Sequence, residues 1–363
     1  MHFILTSAIL DIKDWTIEQI TGMESLARAS FQGHHFVSVE KVAIALSLEK
    51  RTNEFSLAFH SFIKKCISNH ALSGELREIS TKSLLVAPLN HIQNLANKTQ
   101  HISIEELSHV NLEPTTILAE NKVDADAYLL AARHYKTKKK AHKIDIAGTP
   151  RGGGGNTIQV EFETIAKSRK QLCLAITDGD HLWPTRSPSR VSKTCDEIAN
   201  SHPDLCGHLR IPVRELENLI PIEAIREINK GVEDNAMELA KKILEKAPEL
   251  RICADWKDGT KLRKLHNLAE NTPEREPLEK ALGANNSIPK KCIRLCEKSE
   301  DTPCTCYVVP NIAGGLGPKF VRWAEAQSPH KVLKYFKSEW EESWLSVGEA
   351  VFQWCCSPAK TRI

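Results

Sequence analysis

Along residues 1–110 apolar side chains recur at helical spacing, at Ile17, Ile20, Met23, Leu26 and Ala27 and again at Phe55, Ala58, Phe59, Phe62 and Ile63. The pattern predicts an N-terminal helical domain. From Pro114 the texture changes to short apolar runs that alternate with helical patterns. Strands are expected at 115–119, 143–147, 172–177 and 209–213, and helices at 124–135, 158–170 and 191–201, with Pro221 opening a further helix at its first turn. Alternation of this kind predicts an α/β domain over 111–231, a parallel four-stranded sheet with right-handed crossovers and flanking helices. Residues 232–363 read as a mostly helical C-terminal region. Ala236, Leu239, Ala240, Ile243 and Leu244 form one stripe there, a cysteine-rich stretch follows, and the last part is rich in aromatic residues.

Composition narrows the class of protein. The chain has 363 residues, 41% of them hydrophobic and 26% charged, as expected of a globular protein. It contains no uncharged apolar run of the roughly 18–20 residues that a membrane span needs. Asp11, Lys13 and Asp14 interrupt the start before a signal-peptide core could form, so a cytoplasmic location and no membrane partner are expected. The net charge of +3 announces no nucleic-acid surface, and any basic patch must be local. Eleven cysteines, an odd number, fit reduced thiols better than a disulfide scaffold.

The candidate chemistry is acidic. The first strand of the α/β domain ends at Glu120, the third at Asp178-Gly179-Asp180, and the fourth runs into Glu215-Leu216-Glu217. In a parallel sheet these carboxylates emerge at one edge, where chemistry concentrates. Converging carboxylates repel unless a cation sits among them. Hard oxygen donors suit Mg²⁺ or Mn²⁺, which stabilise attacking and leaving oxygens in phosphodiester chemistry. Gly179, without a Cβ, is expected to let the chain turn between the two aspartates.

Glu120-Asn121-Lys122-Val123-Asp124-Ala125, followed by Asp178-Gly179-Asp180 after a strongly apolar strand, resembles the signature of the TOPRIM domain of topoisomerases, primases and overcoming-lysogenization-defect nucleases. The resemblance covers about residues 114–220, and Asn121 stands where the family usually has glycine. Asparagine tolerates left-handed backbone angles, so the turn is expected to survive. The resemblance implies Glu120 as general base or metal ligand and Asp178 and Asp180 as ligands of Mg²⁺ or Mn²⁺. It implies Asp124 as a support at the helix start and Glu217 as an extra ligand, with Glu215 the competing choice; Lys122 lies near by chain position. None of the four tyrosines has a DNA-gate context, and the cysteine cluster follows the domain instead of preceding it as in primases. The nuclease branch is left: a metal-dependent phosphodiesterase acting on DNA or RNA, tRNA included. By the same resemblance it is an effector of bacterial anti-phage defence with an ATPase or sensor protein as partner, and a homo-oligomer is open. The alternative is a non-catalytic regulatory or nucleic-acid-binding protein on a degenerate TOPRIM fold.

Further motifs surround this core. Arg151 and the run Gly152–Gly155 offer backbone N–H groups that could cradle a phosphate, but lack the ending of a P-loop. Arg186 and Arg190, with Trp183 between the Asp-Gly-Asp turn and the next helix, are placed to hold a phosphate and stack on a base. The basic cluster from Arg133 to Lys143 follows the first helix of the domain. Cys292, Cys296, Cys304 and Cys306 could ligate a structural Zn²⁺, although the spacing is not that of paired ribbons, and reduced thiols are the commoner outcome. Trp340 and Trp344, four residues apart, read as packing or oligomer contacts.

Overall fold

Short apolar segments with no alternation build the first of two sheets. In the computed structural model, which describes residues 1–93, 101–180, 188–230, 234–270, 272–293 and 305–359, strands β1 (His2–Leu5), β2 (Phe36–Val39), β3 (Leu84–Ala87) and β4 (His101–Ser103) form a parallel sheet in the order β2-β1-β3-β4. Phe3, Leu5, Val39, Leu84, Val86 and Ala87 are fully buried. The expectation of a purely helical N-terminal domain is therefore corrected. Strands of three or four residues, buried on both faces, show no two-residue period and hide among the helical stripes. Those stripes are real: α1 (Ile17–Phe31) and α3 (Leu57–Ser68) cover the expected positions, and α2 (Val42–Glu49), α4 (His70–Ile79) and α5 (Leu89–Gln93) accompany them. Thr16 and Gln19 close a capping box at the start of α1. Phe55 stacks on Phe59 with ring centroids 4.1 Å apart.

The second sheet is also parallel and four-stranded. It runs β7-β5-β8-β9, with β5 (Asn111–Ala119), β7 (Gly148–Gly152), β8 (Gln171–Thr177) and β9 (Cys206–Arg210). Helices α6 (Lys122–Lys138), α7 (Ile158–Ser168) and α8 (Arg190–Ser201) fall where the sequence predicts them. Two strands differ. β6 (Ile144–Ile146) leaves the sheet and pairs antiparallel with β12 (Cys356–Pro358). The strand beside β5 is instead Gly-Thr-Pro-Arg-Gly, whose proline is tolerated because β7 is an edge strand. The fourth strand starts at Cys206, earlier than expected.

The chain divides into two compact units. The first, residues 1–177, 193–209 and 345–363, contains both sheets. The second, residues 178–192 and 210–344, contains α9 (Ile222–Ile228), α10 (Asp234–Lys246) and a two-stranded ribbon of β10 (Thr260–Lys261) and β11 (Tyr307–Val309). The helix Glu339–Cys355 begins in the second unit and ends in the first. Trp344 is fully buried against Phe320 and Phe336, as the packing reading of the aromatic end requires. Cys66, Cys173, Cys195, Cys206, Cys253, Cys355 and Cys356 are buried free thiols. Among the described residues no helix is long and apolar enough to cross a membrane.

Within the first unit the Glu339–Cys355 helix lies against α6 at Gly348, where an added Cβ would stand 2.4 Å from the Ala131 carbonyl oxygen. Helix propensity alone would make Gly348→Ala stabilising by about 1 kcal/mol. We expect the opposite sign, a loss of about 1–3 kcal/mol from overpacking, measured by urea denaturation. A stabilised variant would show that the two helices do not approach so closely.

Candidate functional site

β5 and β8 are neighbours, with Ala119 opposite Ile176. Glu120 follows the last residue of β5, and Asp178 follows the last residue of β8. Both therefore leave their strands at the carboxyl edge, as expected. Glu120 belongs to the first unit, whereas Asp178, Asp180, Glu215 and Glu217 belong to the second.

In the first unit the end of β5 is held by its main chain. The Gly153 N–H donates to the Ala119 carbonyl at 2.7 Å, and the Gly155 N–H donates to the Glu120 carbonyl at 3.1 Å. These bonds occupy N–H groups that the sequence offered to a phosphate, so the glycine run serves the strand end instead. A Cβ on Gly153 would meet Ile158 at 2.7 Å, which explains a glycine at that point. Asn121 caps α6 with φ −123° and ψ 151°, an extended conformation open to any residue. The family glycine is therefore not needed for backbone freedom here, and no left-handed turn is present. Its side-chain amide donates to Asp124 at 3.1 Å, giving Asp124 the supporting role expected at the helix start. Lys122 lies 3.5 Å from Asp126, its neighbour one helical turn on.

In the second unit the Asp-Gly-Asp segment runs beside residues 213–214. Gly179 N–H donates to the Val213 carbonyl at 3.0 Å and Asp180 N–H to the Arg214 carbonyl at 3.1 Å. The positive φ of this turn, +47°, falls on Asp180, and Gly179 is not among the glycines with positive φ. Aspartate is among the residues that tolerate that region. The backbone pairing brings the aspartate turn next to the segment that carries Glu215 and Glu217. Glu217 is 8% exposed and sits in the short 3₁₀ turn Leu216–Leu219. Asn218 fixes this turn: its amide donates to the carbonyls of Arg251 at 2.9 Å and Ala254 at 3.0 Å, while its Oδ1 accepts from Glu215 N–H at 3.3 Å. Arg214 donates to Asp255 at 2.7 Å. Burial, reinforced by the Glu217 carboxylate, pushes the Glu215 carboxyl up to about 7. Its Oε1 is buried without a hydrogen-bond partner.

A buried, unpartnered carboxylate oxygen beside a second glutamate is a donor that a hard cation would satisfy. Donor chemistry thus fits Mg²⁺ or Mn²⁺. The side chains do not converge as they stand: among the described residues no group of three or more His, Cys, Asp or Glu side chains is close enough to form a metal site. Arg186, Trp183, Cys296 and Cys304 lie outside the described residues. Arg190 is exposed at the start of α8, and Cys292 and Cys306 are half-buried.

One feature has no counterpart in the sequence reading. His208 on β9 places Nδ1 2.7 Å from Asp196 Oδ1 and Nε2 3.0 Å from Thr177 Oγ1. A carboxylate only accepts, so Nδ1 carries the proton towards Asp196 and Nε2 accepts from the threonine hydroxyl. This chain fixes Thr177, the residue before Asp178. A histidine inside Cys-Gly-His-Leu-Arg has no spacing that would have singled it out.

Comparison with family models, curated proteins and solved structures finds no match.

Glu215 gives a test of this electrostatic picture. Because its folded-state carboxyl titrates near 7, above the ordinary 4.5, the folded protein holds a proton that the unfolded chain has released between those values. Stability should therefore fall as pH rises from about 4.5 through 7, by about 1–3 kcal/mol for this group. Glu215→Gln should flatten the decline and raise the melting temperature at pH 8, read by differential scanning calorimetry. An unchanged slope would show that Glu215 is not held protonated.

Proposed function

We propose that the chain is a divalent-metal-dependent nuclease of the TOPRIM kind, hydrolysing phosphodiester bonds in DNA or RNA. The observation that carries this reading is the register of β5 against β8, which has Glu120 and Asp178 follow neighbouring parallel strands at their carboxyl ends. The pairing of residues 179–180 with 213–214 adds support, because it gives Asp178 and Asp180 two further glutamates nearby in the chain's second unit.

Asp178, Asp180 and Glu217 would hold the metal, with Glu120 as a ligand or as the base that takes a proton from water. A bound Mg²⁺ or Mn²⁺ supplies Lewis acidity towards phosphate oxygens and lowers the pKa of water. Asp124 and Asn121 fix the start of α6 beside Glu120, and the glycine loop keeps the Glu120 main chain in place. Thr177, tied to His208, limits how far the chain entering Asp178 can move. A sensor or ATPase partner that restrains such an activity belongs to the same proposal.

A non-catalytic nucleic-acid-binding role is favoured by one observation, the lack of a converged three-residue metal group among the described residues. Mg²⁺- and Mn²⁺-dependent cleavage of plasmid DNA, oligonucleotides and total tRNA separates the two. The nuclease reading expects cleavage that Glu120→Ala and Asp178→Ala each reduce by about 100-fold or more. Cleavage that survives both substitutions would remove these residues from the reaction. Metal-independent binding without cleavage would favour the second reading.

A further inference from the structure

The first sheet has its own unassigned cleft. In the order β2-β1-β3-β4 all pairings are parallel, and the chain leaves β1 towards β2 on one side while β3 lies on the other. The strand order reverses between β1 and β3. In open parallel sheets the loops on either side of such a switch point diverge beyond the carboxyl ends of the strands, and the crevice between them is where ligands bind.

A cavity of about 390 Å³ occupies that position. This size falls within the roughly 300–1,000 Å³ range of small-molecule sites. One wall is the segment after β1, with Asp11, Lys13 and Asp14; the other is the turn after β3, with Asn90 and His91. Ala8 and Pro88 contribute the apolar part of the lining. The site therefore combines a cation and further donors, two carboxylate acceptors and an apolar surface.

The walls are held independently of any ligand. Glu105 accepts from Gln19 Nε2 at 2.7 Å and from Leu89 N–H at 3.1 Å, so one carboxylate ties the start of α1 to the start of α5. Arg51 donates to the Ile12 carbonyl at 2.8 Å and the Lys13 carbonyl at 3.2 Å, and its ion pair with Glu54 at 3.0 Å fixes the guanidinium. With the main chain pinned in this way, the side chains of Asp11, Lys13 and Asp14 engage no hydrogen bond or ion pair among the described residues. A rigid crevice lined by uncommitted charges of both signs is suited to a ligand that is itself of mixed character.

We propose that this cleft binds a nucleoside monophosphate. Lys13 and His91 take the phosphate, Asp11 and Asp14 accept from the ribose hydroxyls, and the base lies on the apolar lining. Acidic groups alone would suit a metal ion, but the lysine and the apolar lining are out of place for one. A free phosphate would leave the carboxylates without donors. The inference concerns the first unit only and stands whether or not the chain is a nuclease.

The test is isothermal titration of the full chain in EDTA with AMP, GMP, CMP and UMP, alongside adenosine and inorganic phosphate. EDTA silences any metal-dependent binding or cleavage at the acidic edge. At least one monophosphate should saturate the protein with one site. Lys13→Ala should weaken it at least about tenfold, as expected for loss of a charge-assisted hydrogen bond. Asp14→Asn should weaken both that monophosphate and its nucleoside. Asp14 and Lys13 are exposed, so both variants should keep the wild-type circular dichroism spectrum. Failure of all four nucleotides to bind at millimolar concentration would overturn the assignment. So would binding indifferent to both substitutions, or inorganic phosphate binding as tightly as the nucleotides.

Discussion

β5 is hydrogen-bonded on both flanks, and its residues 115–119 are all buried. A strand in that situation cannot shift register without moving an entire row of side chains and main-chain bonds. The last residues of β5 are also gripped from beyond the sheet by Gly153 and Gly155, and Thr115 at their start donates its hydroxyl to the Trp354 carbonyl at 2.6 Å. The direction in which Glu120 leaves the sheet is thus set by main-chain geometry. Side-chain chemistry at the edge varies on top of a fixed platform, and this is why the glycine run is used for close approach instead of ligand capture.

Much of the second sheet was legible because its elements are long. The run Leu172–Thr177 is a buried strand by composition alone, and α6 and α7 carry clear helical spacing. The misreadings share one cause, which is that a short element contributes too few residues to show a period. β1, β2, β3 and β4 have three or four residues each and went unseen between strong helices. β7 was hidden for a different reason. Gly-Thr-Pro-Arg-Gly has the residues of a turn, and only its place at an edge lets it act as a strand.

At the candidate site the sequence located Glu120, Asp178 and Asp180 at strand ends, since strand ends can be read from where apolar runs stop. Environment could not be read in the same way. That Glu215 rather than its neighbour is pushed towards neutrality depends on burial and on Arg214 being drawn to Asp255, forty-one positions away in the chain. The left-handed conformation expected at Asn121 occurs at Asp180 instead, because the chain at 179–180 must turn to pair with 213–214. His208 was invisible since its two partners, Asp196 and Thr177, are brought to it only by the sheet and by α8.

The discontinuity of the two units bears on how the protein is made. The chain passes from one unit to the other after residues 177, 192, 209 and 344, so neither unit is a continuous stretch. The first needs residues 345–358 for β12 and for the Trp354 carbonyl, which lies 239 positions from its partner Thr115. On the ribosome, β5 is synthesised long before the segment that bonds to it. Contacts this distant slow folding and leave partly built sheets exposed in the meantime. Production at low temperature or with chaperones in excess should therefore raise the folded yield, and no simple truncation will release either unit intact.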